Sequence, residues 1–347
     1  MPQVLTVSAW IDRYRDLPLL DVRTPAEYTQ GHIPHAINFP LFSNEERAEV
    51  GTIYKQEGPQ EALLRGLELV GPRMAQMVRK AQQLVPRRRV VVHCWRGGQR
   101  SGSVAWLLER AGFETYTLKG GYKAWRNYVL EGFHQMERPI VLLGGRTGSG
   151  KTAVLHELAR LGAQVIDLEG LAHHKGSAFG GLGQAPQPTT EQFENDLFEQ
   201  WRQIDPARPV WIESESRAIG RVCIPEGLWE QMRRAPYVRL LVPFPLRVSR
   251  LVAEYGQFSP DALIAAFRKI QKRLGGQWLQ AAIEAIEAGK LDQAAAIALR
   301  YYDKTYDYFL EKHPPPTLVE LPVDSGDVVE AARALLHFKW PLETTAR

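Results

Sequence analysis

The sequence predicts an α/β protein built from two domains, and three observations carry that expectation. Short apolar runs alternate with stretches of helical periodicity along nearly the whole chain. Two glycine-rich loops, at residues 93–101 and 145–152, each follow an apolar run and precede a helical stretch. A chain of 347 residues is also long enough for two domains of ordinary size. The first domain is expected over residues 1–135 and the second over 138–347, with the linker within 131–139 and a helical extension at the C-terminal end.

The elements follow in order. Residues 17–22 form a short apolar strand that meets the acidic Asp21 near its end, and residues 89–94 (Arg-Val-Val-Val-His-Cys) are a β-branched run with the continuous apolar character of a buried parallel strand. Between them, residues 44–88 are rich in Glu, Arg, Gly and Pro and mostly helical in pattern, a long excursion between strands. Residues 101–110 carry Val104, Leu107 and Leu108 on one helical face, and residues 113–118 form the next strand, closed by Lys119-Gly120-Gly121. Residues 139–144 make a clean strand that runs directly into the second loop, and 152–161 form the helix after it. Further strands are expected at 163–168, 209–213, 237–242 and 317–321. Residues 172–190 are Gly/Pro-rich, a functional or mobile loop, while 259–308 are Ala-rich and strongly helical. No internal repeat or low-complexity tract is present.

Bulk composition narrows the class. Hydrophobic residues make up 44% and charged residues 24%, as in a soluble globular protein. No run of 18 apolar residues occurs, so no membrane span is expected, and the N-terminus lacks the basic start and apolar core of a secretory signal. The two cysteines, Cys94 and Cys223, make no disulfide framework and suit a reducing, cytoplasmic location. A net charge of +4 permits a polyanionic partner without requiring one.

The first loop is His93-Cys94-Trp95-Arg96-Gly97-Gly98-Gln99-Arg100-Ser101. Cys94 ends a strand and precedes a helix, Gly97-Gly98 lets backbone N–H groups turn inward as an anion nest, and Arg96 and Arg100 add positive charge. Those surroundings lower a thiol's pKa and make the thiolate available as a nucleophile. A merely structural cysteine beside a turn needs neither two arginines nor a glycine pair. Cys94 and Arg100 also enclose five residues, which fits the H-C-x5-R loop of cysteine phosphatases, with Arg100 bidentate to a tetrahedral phosphate. The loop alone leaves a chalcogen carrier and a phosphatase both open.

The second loop, Gly145-Arg146-Thr147-Gly148-Ser149-Gly150-Lys151-Thr152, fits the P-loop pattern G-x-x-x-x-G-K-[ST]. Its backbone amides are expected to wrap phosphate oxygens at the helix N-terminus, with Lys151 as a point charge and Thr152 able to ligate Mg²⁺ if a metal is present. Asp167, Glu169, Glu213 and Glu215 end neighbouring strands and form a candidate acidic site, though each also suits capping or an ion pair. No base-specificity motif is visible, so the sequence implies no particular nucleotide and leaves room for another diphosphate. His173 and His174 lack further ligands at metal spacing, and no metal site is assigned. Arg247 and Arg250 occupy the position of lid arginines in P-loop kinases. Arg268, Lys269, Lys272 and Arg273, with Trp278 nearby, form a basic cluster that suits either solvent or RNA phosphates.

Resemblance sharpens these readings. Asp21-Val22-Arg23-Thr24-Pro25-Ala26-Glu27-Tyr28, then Gly31-His32-Ile33-Pro34-His35-Ala36-Ile37-Asn38, and later Lys119-Gly120-Gly121-Tyr122 with Trp125, resemble the signatures of the rhodanese family. That resemblance covers most of residues 4–130 and implies a chalcogen carried at Cys94, with Asp21 and Arg23 holding the loop. A rhodanese-like domain with a parallel sheet, followed by a P-loop NTPase-like α/β domain, is the arrangement of the tRNA 2-selenouridine synthase family. Asp167-Leu168-Glu169-Gly170-Leu171-Ala172, Lys175-Gly176-Ser177-Ala178-Phe179-Gly180 and Glu213-Ser214-Glu215-Ser216-Arg217-Ala218-Ile219-Gly220 also resemble that family. The resemblance implies replacement of sulfur by selenium in wobble 2-thiouridine of tRNA, with selenophosphate as donor and selenophosphate synthetase as its source. It further implies an S-geranyl-2-thiouridine intermediate made from geranyl diphosphate, whose diphosphate would sit on the P-loop at Lys151. A fused phosphatase and kinase, or a sulfur-carrier module, are the readings that compete with it.

Overall fold

The computed structural model describes residues 2–338 and divides into two compact units, one ending at Gly132 and one starting at Phe133. The end of the expected second domain, residues 339–347, lies outside the described residues.

The first unit runs β1 (Gln3–Leu5), α1 (Val7–Arg13), β2 (Leu19–Asp21), α2 (Pro25–Gln30), β3 (Ile37–Asn38), α3 (Asn44–Gln56), α4 (Pro59–Val70), α5 (Met74–Leu84), β4 (Arg89–His93), α6 (Gln99–Arg110), β5 (Glu114–Leu118) and α7 (Gly121–Gln135). The strands form one parallel sheet in the order β1-β5-β4-β2-β3. Parallel pairing requires crossovers that cover both faces, which is why Val90, Val91 and Val92 of β4 are fully buried. Val104, Ala105 and Leu108 of α6 pack on this sheet, with Leu107 partly buried beside them. Register sets Asp21 opposite His93, so β2 and β4 deliver their ends to the same edge. Thr24 and Ser43 start α2 and α3 with capping boxes closed by Glu27 and Glu46.

The second unit runs β6 (Ile140–Gly145), α8 (Lys151–Arg160), β7 (Gln164–Ile166), α9 (Leu168–Ala172), α10 (Thr190–Trp201), β8 (Val210–Glu213), the hairpin of β9 (Ala218–Ile219) and β10 (Val222–Cys223), α11 (Glu226–Arg234), β11 (Tyr237–Leu241), α12 (Phe244–Tyr255), α13 (Pro260–Lys269), α14 (Gln271–Leu274), α15 (Gly276–Glu287), α16 (Leu291–Lys312), β12 (Leu318–Pro322) and α17 (Val328–His337). A second parallel sheet has the order β12-β11-β6-β8-β7. Its centre is β6, buried from end to end, flanked by Val154, Leu155 and Leu158 of α8. The helical extension packs around its own core of Leu263, Phe267, Ala282 and Ile286. No helix among the described residues is long and apolar enough to cross a membrane.

Three local expectations change. The linker expected over 131–139 is helical as far as Gln135, because Tyr122, Trp125, Val129 and Phe133 form one fully buried stripe at helical spacing. The strand expected over 163–168 stops at Ile166, since Asp167 turns to cap α9 by accepting the Gly170 N–H at 2.7 Å. The three-residue β1 and the β9–β10 hairpin are too short to show a periodic signal. Phe133 packs edge-on against Phe198 at 5.2 Å and against Trp201 at 6.3 Å. Phe133→Ala should therefore cost about 3–5 kcal/mol in denaturant unfolding of the full chain, where a loop residue would cost almost nothing.

Candidate active site: a thiol nest and a phosphate loop

Cys94 leaves the end of β4 and is almost fully buried. Its carbonyl oxygen accepts the Tyr122 N–H at 2.8 Å, and that of Trp95 accepts the Lys123 N–H at 2.9 Å. The loop is thus fastened from behind by the start of α7. The fit is close enough to demand glycine: Gly97 (φ 66°) would place a Cβ 2.4 Å from Leu118 O, and Gly121 (φ 58°) would place one 2.2 Å from Cys94 O. The Lys119-Gly120-Gly121 turn and the thiol loop therefore interlock.

The nest expected around Cys94 is formed. Sγ lies 3.3 Å from Ser101 Oγ, whose single proton can go to Sγ or to Gly98 O, 3.1 Å away. Burial works against the thiolate, but the Ser101 hydroxyl and the N–H groups of Ser101, Arg96 and Gly98 outweigh it and draw the thiol below its ordinary range. Ser101 at the head of α6 was legible as the residue closing the motif, but its role as hydrogen-bond partner of the thiol was not. Behind the loop, Arg23 and Asp21 form a buried pair with Nη2 to Oδ2 at 2.6 Å. Arg23 also donates to Gly31 O at 2.7 Å and lies 3.8 Å from the centre of the Tyr122 ring. Burial alone would raise the Asp21 pKa, but His93 and Arg23 outweigh it and hold the carboxyl below its ordinary value. His93, also fully buried, is pushed down by desolvation, with Asp21 acting in the opposite direction.

The Arg100 guanidinium makes a bidentate pair with Glu27, at the start of α2, at 2.7 and 3.1 Å, and the charge of Cys94 also acts on it. Glu27 caps α2 and is partly buried, and Arg100 supplies its counter-charge. No local pattern links residues 27 and 100, so sequence spacing could not find this pair. Arg96, Gln99 and the partly exposed Trp95 remain at the mouth of the loop.

In the second loop, Gly148 and Gly150 take φ of 78° and 81°, and α8 begins at Lys151. The loop's carbonyls are held from outside. Thr147 O accepts from Arg247 Nη1 at 3.1 Å, and Ser149 O accepts from Arg250 Nη1 at 2.6 Å. A trans peptide points its N–H opposite to its C=O, so these bonds turn the Gly148 and Gly150 N–H groups the other way, toward the loop interior. Arg247 is itself buried against Asp303 through two bonds of 2.7 Å, and Arg146 is paired with Asp307. Arg247 and Arg250 therefore brace the loop in place of reaching out as lid arginines. Asp303 and Asp307 lie about 160 residues from the motif, and only their one-turn spacing on α16 hints that they act together. Lys151 Nζ rests 3.4 Å from Gly145 O.

The four acidic residues do converge here. Thr152 Oγ1 donates to Glu169 Oε2 at 3.1 Å, the Glu169 N–H donates to Glu213 Oε1 at 2.7 Å, and Asp167 pairs with His156 at 2.7 Å. Burial, with Asp167 and Glu169 as like charges, pushes the Glu213 carboxyl well up. Glu215 is partly buried, and burial together with the negative charge of Glu169 raises its carboxyl too. These groups are taken up by one another and by Thr152. Among the described residues no group of three or more His, Cys, Asp or Glu is arranged to hold a metal ion. His173 Nδ1 lies 2.9 Å from Pro186 O. Arg268, Lys269, Lys272 and Arg273 are exposed on α13 and α14, with Trp278 exposed on α15.

Comparison with known proteins decides what carries these two loops. Residues 138–334, more than half of the chain, match the family model of the tRNA 2-selenouridine synthase AAA domain, and residues 5–128 match the rhodanese-like domain. The chain belongs to the tRNA 2-selenouridine synthase family. A tRNA 2-selenouridine synthase of Sulfurovum sp. (strain NBC37-1) is 37% identical over 332 residues, covering 85% of this chain and 89% of that one. Another from Salmonella enteritidis is 37% identical, covering 86% and 90%, and one from Nitrosomonas europaea is 32% identical, covering 80% and 82%. The activity that goes with the family is conversion of 2-thiouridine to 2-selenouridine in tRNA.

Two pH-dependent outcomes follow from these environments. Alkylation of Cys94, followed on its own peptide because Cys223 is also a free thiol, should reach half its maximal rate below the ~8.5 of an ordinary cysteine, and Ser101→Ala should move that midpoint upward. Unchanged midpoints would show that the nest does not act on the thiol. For Glu213, the folded state keeps a proton that the unfolded chain loses above about pH 4.3, so this group's contribution to stability falls as pH rises from there. Glu213→Gln removes that slope, and its stability relative to the parent chain in denaturant unfolding should increase from acid to mildly alkaline pH.

Proposed function

We propose that the two loops serve successive steps on one nucleotide. The P-loop holds geranyl diphosphate by its diphosphate, with Lys151 and the inward N–H groups of Gly148 and Gly150 as partners. The sulfur of 2-thiouridine attacks C1 of the geranyl group, the C–O bond breaks, and diphosphate leaves on the loop. The Cys94 loop then receives selenophosphate, supplied by a selenophosphate synthetase. The selenium of selenophosphate adds at C2 of the base, the C–S bond breaks with loss of the geranyl thiol, and water then cleaves the P–Se bond, releasing inorganic phosphate and leaving 2-selenouridine. Alkylation makes sense here because an alkylated sulfur leaves C2 more readily than a thione sulfur does. The exposed basic residues Arg268, Lys269, Lys272 and Arg273, with Trp278, suit contact with the tRNA backbone and a base.

The observation that carries this reading is the thiol nest: a buried Sγ ringed by the Ser101 hydroxyl and three backbone N–H groups, with Arg100 paired to Glu27. It suits an anionic chalcogen donor. The test is nucleoside mass spectrometry of 2-thiouridine tRNA incubated with the enzyme, geranyl diphosphate and selenophosphate. Cys94→Ala should abolish 2-selenouridine while geranylated nucleoside still forms. Lys151→Ala should lower geranylation by about a hundredfold or more while selenation of pre-geranylated tRNA persists. Selenation that survives Cys94→Ala would remove the thiol from the reaction, and activity confined to aryl phosphates or thiosulfate would overturn the whole scheme.

A further inference from the structure

A cavity of about 510 Å³ opens within the second unit, lined by residues of α11, β6, β11 and the end of α16. That size is ordinary for a small-molecule pocket. Trp229, Tyr237 and Phe309 bring three aromatic rings to it, and Phe309 leaves 41% of its surface exposed. Arg233, Lys312 and His313, all exposed, also line it. Aromatic faces beside cations suit one nucleotide of a single-stranded segment: the base stacks on the rings and the phosphates meet the positive charge.

The cavity also reaches the P-loop. Glu215, just after β8, is the one acidic side chain among the described residues that line it. Its carboxyl is hydrogen-bonded to that of Glu169, which accepts from Thr152 Oγ1 of the P-loop at 3.1 Å. The glycine-rich segment closes on Glu215 as well, since a Cβ at Gly176 would fall 2.4 Å from its Oε2. Glu215 therefore stands in the cavity wall and one carboxyl away from the phosphate loop. Burial and the charge of Glu169 raise its carboxyl, while Lys151 and the Ser216 N–H act the other way. A raised carboxyl is the stronger proton acceptor.

Alkylation of 2-thiouridine on sulfur demands such an acceptor. The thione base carries a proton on N3, and the neutral S-alkyl base does not. As sulfur bonds to C1 of the prenyl group and the C1–O bond breaks toward diphosphate, the electrons of the N3–H bond become the N3=C2 double bond and the proton must leave. We propose that the cavity takes the flipped-out 2-thiouridine nucleotide and that Glu215 accepts its N3 proton in this transfer. The assignment rests on the reading of the P-loop as the site of a prenyl diphosphate.

Two measurements on the full chain test this. In the first, an anticodon stem-loop with photoreactive 4-thiouridine at the modified position is irradiated on the protein and the crosslinked peptide is mapped. Crosslinks should fall on the peptides carrying Trp229, Tyr237 or Phe309, and crosslinks confined to other segments would overturn the cavity assignment. In the second, geranylation of a 2-thiouridine stem-loop is followed in variants. Phe309→Ala should raise the KM for the stem-loop about tenfold with kcat little changed. Glu215→Gln should lower kcat about a hundredfold or more. Its binding of geranyl diphosphate should persist, as should selenation of pre-geranylated tRNA, a step that takes no proton from N3, and both show that the variant is folded. The deficit of Glu215→Gln relative to the parent should shrink as pH rises into the range where the N3–H of 2-thiouridine ionises unaided. Lys151, Glu169, Arg233, Lys312 and His313, the charged and titratable groups around Glu215, are common to both chains, so the ratio isolates Glu215. If the parent forms no geranylated nucleoside, the P-loop reading fails and this proposal with it. If the parent geranylates and Glu215→Gln matches it, or its deficit does not change with pH, Glu215 does not take the proton and the proposal alone is overturned.

Discussion

Both anion loops depend on one constraint: their carbonyl oxygens must be held from behind so that the N–H groups face the ligand. A glycine-rich turn has no intrinsic reason to prefer that orientation, because every peptide carries a donor and an acceptor on opposite sides. In the thiol loop the carbonyls of Cys94 and Trp95 are taken by the first turn of α7. In the P-loop those of Thr147 and Ser149 are taken by Arg247 and Arg250 of α12. The solutions differ chemically, backbone donors in one case and guanidinium groups in the other, but the outcome is the same. The positive-φ glycines are what let the chain follow this path at such close range.

That constraint explains where the arginines go. Four of them look from the sequence like anion-binding groups: Arg100 and Arg146 within the loops, Arg247 and Arg250 downstream. In the fold Arg100 pairs with Glu27, Arg146 with Asp307, and Arg247 with Asp303, while Arg250 donates to Ser149 O. They hold the frames of the loops. Burying a guanidinium is costly without a facing carboxylate, and Arg100, Arg146 and Arg247 each bring an acidic partner, while Arg250 is held by backbone carbonyls. Asp21 and Arg23 obey the same rule beneath the thiol loop.

The acidic residues near the P-loop follow the opposite logic. Asp167, Glu169, Glu213 and Glu215 crowd together with few cations among them, so burial and mutual repulsion raise Glu213 and Glu215 toward the neutral form. Neutral carboxyls can donate hydrogen bonds and stabilise the strand ends on which they sit. The phosphate loop is thereby bordered on one side by acids held to one another and on another side by an apolar slot under Phe179.

Read alone, the sequence gives away the class of fold, the strand before each glycine-rich loop and the helix after it. It could do so because those features are local: β-branched runs, glycines at positive φ and a helix N-terminus are all set within a few residues of one another. The family resemblance was legible for the same reason, in short contiguous motifs such as 94–101 and 213–220. Tertiary structure alone decided which charged groups face the ligand and which hold the frame. Glu27 meets Arg100 across 73 residues and Asp307 meets Arg146 across 161, separations at which no periodicity survives. It also decided that the apolar faces of α13, α15 and α16 leave a gap beside Thr147. The apolar pattern shows which face a helix buries, but whether facing side chains fill the space between them depends on how the helices pack.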